Sequence, residues 1–361
     1  MARYPAERIV IRCPNWIGDM VAATMALRSV RRTWPQARIA LWLQPYVRPV
    51  VENGPWFDEI IEQDPARGVG GMLDTAKRLR AGRYDLALLL THSFRSALTA
   101  WLGRARVRVG HARGCRSLLL TDAVPWPGRP PRPEWCPKVK VYGSLLEYLG
   151  CEGAADQRPE LFTSAEDESR ADTLLKNHAR DASRALMALV PGAAYGASKL
   201  WAPERFAQAA DELSRRRNMQ AVVLTGPGEG AIGRDIASKM KESPILFREG
   251  EVSFGALKAL VRRCALMICN DTGPRHVAIA YDVPVVALMG PTSPVVTESN
   301  YERTVIIRQD VPCGPCYLRA CPTDHRCMEL ITPEMVVGAA EDLLARYGTK
   351  TTDDRRRTTD S

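Results

Sequence analysis

The sequence has no run of about 18 uninterrupted apolar residues, so no segment is built to span a bilayer as a helix. Its start lacks the short apolar core and small-residue cleavage site of a secretory signal, and the expected location is the cytoplasm. Low-complexity sequence is absent except at the very end. Also missing is any module with the interleaved basic and aromatic residues of a DNA or RNA reader, which argues against a nucleic-acid partner.

What is present is the composition of a globular chain. Its 361 residues are 45% hydrophobic and 25% charged, too many for one ordinary core and suited to two domains. Charge is unevenly placed. Residues 1–150 carry 23 Lys and Arg against 12 Asp and Glu, whereas the remainder has 27 against 29. A basic first half predicts a polyanionic partner, either an anionic membrane face or a phosphorylated substrate; surplus arginine kept only for solubility is the plain alternative. The ten cysteines are expected as reduced thiols in that compartment.

Short β-rich runs alternate with helical stretches through the first half: "RIVIRC", "ARIALWL", "DEIIEQD", "YDLALLL", "VRVGH" and "LLLTDAV", with helices predicted at 17–34, "MLDTAKRLRAG" and "SFRSALTAWLG". This alternation implies a parallel sheet with helices on both faces. The Pro-rich stretch 125–138 interrupts it, and "VKVYGSLLEYLG" resumes as a helix. A second series starts near residue 185, with strands "ALMALVP", "QAVVLTG", "PILFRE", "ALMICND" and "PVVALMG". Its helices include "PERFAQAADELSRRR" and "SFGALKALVRRC", the latter with Ser253 as N-cap. The predicted fold is α/β, with two Rossmann-like parallel-sheet domains facing a central cleft. The expected boundaries are 1–180 and 181–348, with a disordered tail at 349–361.

Ligands bind beyond the carboxyl ends of strands in such sheets, and four segments fall there. In "MICNDTGPRHVAIAYD" a strand runs into Asn270-Asp271-Thr272-Gly273 and a helix. Backbone N–H groups, a glycine and a hydroxyl suit a phosphate. Asp271 suits an acceptor role toward backbone amides or a sugar hydroxyl, and an ordinary N-cap at Asp271 or Thr272 is the structural alternative. In "VPGAAYGASKLWAPERF", Lys199 precedes a helix and offers a compact charge to a diphosphate, or is simply solvated. Gly228-x-Gly230-x-x-Gly233 matches a dinucleotide fingerprint but lacks the acid about 20 residues on in the expected context. A turn is the better reading there, with Glu229 free to meet a ribose. In "CPNWIGDM", Asp19 opens a helix. It suits a general base, or an acid that stabilises the helix dipole.

Cys313, Cys316, Cys321 and Cys327 lie within one short loop with His325 nearby. They are candidate zinc or iron–sulfur ligands, though tighter than paired Cys-x-x-Cys spacing; reduced thiols without metal are the alternative.

In order and spacing, "NWIGDMV", "PGAAYGASKLWAPERFA", "NDTGPRHVAIA", "PVVALMGPTSP" and "CGPCYLRACP" resemble the ADP-heptose:lipopolysaccharide heptosyltransferases, glycosyltransferase family nine, and within it the heptosyltransferase II branch. The resemblance runs from residue 8 to "ITPEMVV". It implies a GT-B architecture, with the acceptor on the N-terminal domain and the nucleotide sugar on the C-terminal one. It further implies an inverting transfer that needs no cofactor or divalent metal. The donor is ADP-heptose, and the acceptor is a phosphorylated lipid A–inner core at the cytoplasmic face of the inner membrane. By matching position Asp19 resembles the base and Lys199 the diphosphate-stabilising lysine. Asp271, Thr272, Gly273 and His276 resemble the donor turn, and Glu229, more loosely, the ribose acid. Asn15, Trp16, His92 and Ser93 fall on the acceptor side. Two departures stand out: Pro274-Arg275 replaces aliphatic residues after "DTG", and His92 stands where asparagine is common. A related transferase with another nucleotide sugar is the alternative within the class, and a metal-binding protein built on the cysteines the alternative outside it.

Overall fold

The computed structural model describes residues 2–63, 67–128, 136–156, 158–297 and 301–348. Positions 129–135 of the Pro-rich stretch and the expected tail at 349–361 lie outside the described residues. The chain divides into two compact units, Met1–Glu160 (with Val295–Ser299) and Leu161–Pro294 with Asn300–Ser361.

In the first unit, β1 (Arg8–Arg12), β2 (Arg38–Leu43), β3 (Glu59–Glu62), β4 (Leu86–Leu89), β5 (Val107–His111) and β6 (Asp122–Val124) form one sheet in the order β3-β2-β1-β4-β5-β6. All its pairings are parallel. β1 lies at the centre, with Val10 level with Ala40 and Ala87. Such a strand is covered on both faces and reads as unbroken apolar sequence; Ile9, Val10 and Ile11 are wholly buried. The helix Ile17–Thr33 packs with Lys138–Leu149, and its small residues Ala22, Ala23 and Ala26 are buried.

The second unit repeats the plan. Its strands are β7 (Ala185–Val190), β8 (Met219–Val223), β9 (Ile245–Leu246), β10 (Cys264–Asn270), β11 (Val285–Leu288) and β12 (Thr304–Ile307), in the order β12-β11-β10-β7-β8-β9. Counted from β7 and read from the other edge, this is again the doubly wound order. Its core joins Leu189 and Ile268 of the sheet to Trp201, Phe206 and Leu213. Trp201 donates its indole N–H to the Ile331 carbonyl at 2.9 Å.

Three local differences from the sequence reading have simple causes. "LLLTDAV" yields a strand only at Asp122–Val124. Gly114–Leu119 is a 3-10 turn, because Arg108 donates its Nε–H to the Leu119 carbonyl at 2.7 Å and holds that segment off the sheet. The helix Ala165–Asn177 carried no apolar stripe strong enough to be read. It is set by a reciprocal capping box in which Ser164 Oγ accepts from the Asp167 N–H and Asp167 accepts from the Ser164 N–H. It packs in the second unit against the helix Phe254–Arg262, whose N-cap is Ser253 as expected. The edge strand Thr304–Ile307 is the third: its four residues are all half-buried, and so short a run carries no pattern of its own.

Candidate functional site

The carboxyl end of β1 leads directly into the helix Ile17–Thr33. Arg12, the last residue of the strand, is buried against the Trp42 ring and donates from Nη2 to Asn15 Oδ1 at 2.7 Å. The Asn15 carbonyl accepts from the Tyr46 hydroxyl. Asn15 is therefore clamped on both sides, while Trp16 at the N-cap makes no side-chain cap bond and stays 55% exposed. Asp19 sits in the first helical turn, half-buried, with the Lys138 ammonium 3.7 Å from its Oδ2. Burial raises its pKa above the ordinary carboxylate value, and Lys138 pulls it part of the way back. A carboxylate so placed is accessible, oriented and more basic than a surface aspartate. Lys138 is a partner that sequence reasoning missed; its only signal was its place at the end of the Pro-rich stretch.

On the neighbouring strand, the β4 end places His92 and Ser93. Ser93 is the N-cap of the helix Phe94–Leu102, accepting from the Ser96 N–H. The His92 ring meets Trp126 edge-on at 4.9 Å and His111 at 5.9 Å. Burial, with Lys138, His111, Arg116 and Arg113 around it, lowers its pKa to about 3, so it is neutral at physiological pH.

In the second unit Lys199 is buried rather than solvated. It follows β7 in a single 3-10 turn, and its ammonium donates to Asp271 Oδ2 at 2.5 Å and lies 4.9 Å from the centre of the Tyr195 ring. Asp271 also accepts from the Thr292 hydroxyl at 2.8 Å, and the Arg275 guanidinium lies 3.8 Å from Oδ1. The expectation that Asp271 accepts from backbone amides therefore gives way to side-chain donors. Burial pushes its pKa up, but Lys199 and Arg275 outweigh that and hold it below the ordinary value. Asn270 fixes the turn, donating to the Pro191 carbonyl at 2.5 Å and accepting from the Trp201 N–H at 3.3 Å.

Thr272 is the N-cap of the helix Gly273–Ala280 but makes no side-chain cap bond; the Arg275 N–H turns back to the Thr272 carbonyl at 3.3 Å, so the positive end of the helix lies at the end of β10. Pro274 is accommodated in the first turn, where its missing N–H costs nothing. His276 is held neutral by burial and by Arg275, its pKa lowered to about 4.

Glu229 is brought to the same edge by the turn after β8. Its carboxylate accepts from the Gly226 N–H at 2.7 Å and lies over Gly192, where an added Cβ would come within 1.8 Å of Oε2. Gly228 has φ +79°, and Gly233 lets the helix Gly230–Lys239 approach Leu246 and Thr225. The three glycines thus serve a turn and close packing, as a second-strand loop requires. Among the late cysteines, Cys313 is exposed, Cys316 and Cys321 half-buried and Cys327 buried. Among the described residues no group of three or more Cys, His, Asp or Glu is arranged to hold a metal ion.

The family model for glycosyltransferase family 9 (heptosyltransferase) matches residues 72–326. The chain belongs to glycosyltransferase family 9. Lipopolysaccharide heptosyltransferase 2 of Salmonella typhimurium is 28% identical over 353 residues, covering 94% of this chain and 99% of that one. Among solved structures, a glycosyl transferase family 9 protein of Veillonella parvula superposes with a TM-score of 0.84 at 24% identity, over 96% of this chain and 100% of that one. The ADP-heptose lps heptosyltransferase II of E. coli superposes with a TM-score of 0.76 at 26% identity, over 94% and 99%. The fold of this family 9 glycosyltransferase is GT-B, its two sheets being the two Rossmann-like units.

Proposed function

We propose that the enzyme transfers heptose from ADP-L-glycero-D-manno-heptose to the inner-core heptose of a growing lipopolysaccharide, with inversion at the anomeric carbon. The observation that carries this reading is the Lys199–Asp271–Thr292 constellation at the mouth of the Thr272–Gly273 helix start. It combines a buried cation with the positive end of a helix where a departing diphosphate needs neutralising. Asp19 accepts the proton of the acceptor hydroxyl as its oxygen attacks the anomeric carbon. The bond from that carbon to the diphosphate oxygen breaks, and ADP leaves with the electron pair, stabilised by Lys199 and the Thr272–Gly273 turn. Glu229 binds the ribose hydroxyls, His276 supports the donor turn as a neutral ring, and Asn15, Trp16, His92 and Ser93 face the acceptor. Neither a divalent metal nor a cofactor takes part in these steps.

Asp19→Asn should abolish turnover while calorimetric ADP binding stays at the wild-type level; near-normal transfer by this variant would remove Asp19 from the base role. Incubation with a panel of nucleotide sugars should give product with ADP-heptose alone. We also place the enzyme at the cytoplasmic face of the inner membrane, held peripherally through its basic first half. Among the described residues no helix is long and apolar enough to cross a membrane.

A further inference from the structure

The segment that carries the late cysteines is fastened to both loops that supply the Lys199–Asp271–Thr292 constellation. Tyr317, directly after Cys316, makes three of the bonds. Its N–H donates to the Pro291 carbonyl at 2.9 Å, and its hydroxyl accepts from the Ser293 N–H at 3.2 Å. These two bonds flank Thr292, whose hydroxyl meets Asp271. The Tyr317 carbonyl accepts from the Tyr195 hydroxyl at 2.5 Å, and the Tyr195 ring is the one beside the Lys199 ammonium. Neighbours of Tyr317 reinforce the lysine side. The Leu318 and Arg319 carbonyls accept from the Ser198 hydroxyl at 2.5 Å and the Ser198 N–H at 3.0 Å, and His325 Nε2 donates to the Ser198 carbonyl at 2.6 Å. The backbones touch so closely that a Cβ on Gly196 would come within 2.4 Å of the Arg319 carbonyl oxygen.

Ser198 and Ser293 are buried, which strengthens these bonds against competition from water. Tyr317 and His325 both hold left-handed backbone, at φ +55° and +54°. Residues with a side chain adopt that conformation at a cost and keep it only where their surroundings over-determine it. Core packing does not explain Tyr317, which is 39% exposed; its bonds to the two loops do. We propose that Tyr317 is a positioning residue for group transfer. It sets the separation between the loop of Lys199 and the loop of Thr292, and so aims the ammonium held at Asp271 toward the departing diphosphate. Negative charge grows on that group as the bond to the sugar breaks, so a displaced ammonium weakens the transition state and bound ADP more than the intact donor. That the group is the diphosphate of ADP-heptose rests on the function proposed above; that Tyr317 acts through Lys199 does not.

The test uses the intact enzyme and two readouts, heptose transfer and calorimetric ADP binding. Tyr317→Val and Tyr317→Asn both lose the ring hydroxyl, but valine opposes the left-handed backbone and asparagine tolerates it. Tyr317→Val should lower kcat and weaken ADP binding by about tenfold each, with the KM for ADP-heptose rising less than kcat falls. Tyr317→Asn should recover part of both losses. Tyr195→Phe keeps the ring beside Lys199 and removes only the hydroxyl bonded to Tyr317; it should lower both readouts too, and it decides alone where Tyr317→Val does not fold. In a Lys199→Ala background none of these changes should reduce ADP affinity or the residual kcat further. Equal losses with and without Lys199 overturn the positioning role, as do wild-type kcat and ADP affinity in Tyr195→Phe and in a folded Tyr317→Val. ADP affinity that depends on Tyr317 only while Lys199 is present, in an enzyme that transfers no heptose, would overturn the proposed function and leave the positioning role standing.

Discussion

Asp19 is under two opposing influences, burial that raises its pKa and Lys138 that lowers it. As the proposed base it works only when ionised, so kcat/KM should fall as pH drops through that raised pKa. Lys138→Gln removes the lowering influence and should shift the acid limb of the pH–rate profile to higher pH; a limb that stays put would show that Asp19 does not govern it. Asp271 offers a test of a different kind. Asp271→Asn takes from buried Lys199 the carboxylate it faces and should cost about 3–5 kcal/mol, read from urea unfolding, with ADP restoring more stability to the variant than to the wild type. The sequence displayed Asp19, Lys199 and Asp271 through their places after strands. It did not display their partners: Lys138, Thr292 and Tyr195 are set by packing, and no spacing rule connects them to the residues they meet.

At the level of elements, strands and helices with strong periodicity were readable almost residue for residue. Pro203–Arg217 is an example, opening on proline and closing on three arginines. Ala165–Asn177 was not readable, because its stability rests on a capping box more than on an apolar face. Ser164→Ala should therefore destabilise the protein by about 0.5–2 kcal/mol in chemical denaturation, with donor kinetics unchanged. The loops after β7 and β8 are joined by one close approach, Gly192 against Glu229. A side chain at 192 must displace that carboxylate, so Gly192→Ala and Glu229→Ala should each raise the KM for ADP-heptose about tenfold, roughly 1.4 kcal/mol. The double variant should be no worse than either single one. Additive losses would separate the glycine from the acid.

Taken whole, the molecule is one doubly wound plan used twice, with its positive charge concentrated in residues 1–150. Binding to vesicles containing anionic lipid should accordingly be lost as salt rises, since exposed charges are screened within about 10 Å at 0.1 M; sedimentation with neutral vesicles should be negligible at any salt. The central claim concerns the group transferred and its destination. Mass spectrometry of a mono-heptosylated acceptor incubated with enzyme and ADP-heptose should reveal a product heavier by one heptosyl residue, with ADP released in equal amount. An unmodified acceptor, from enzyme that binds ADP and transfers a different sugar from another nucleotide donor, would contradict it.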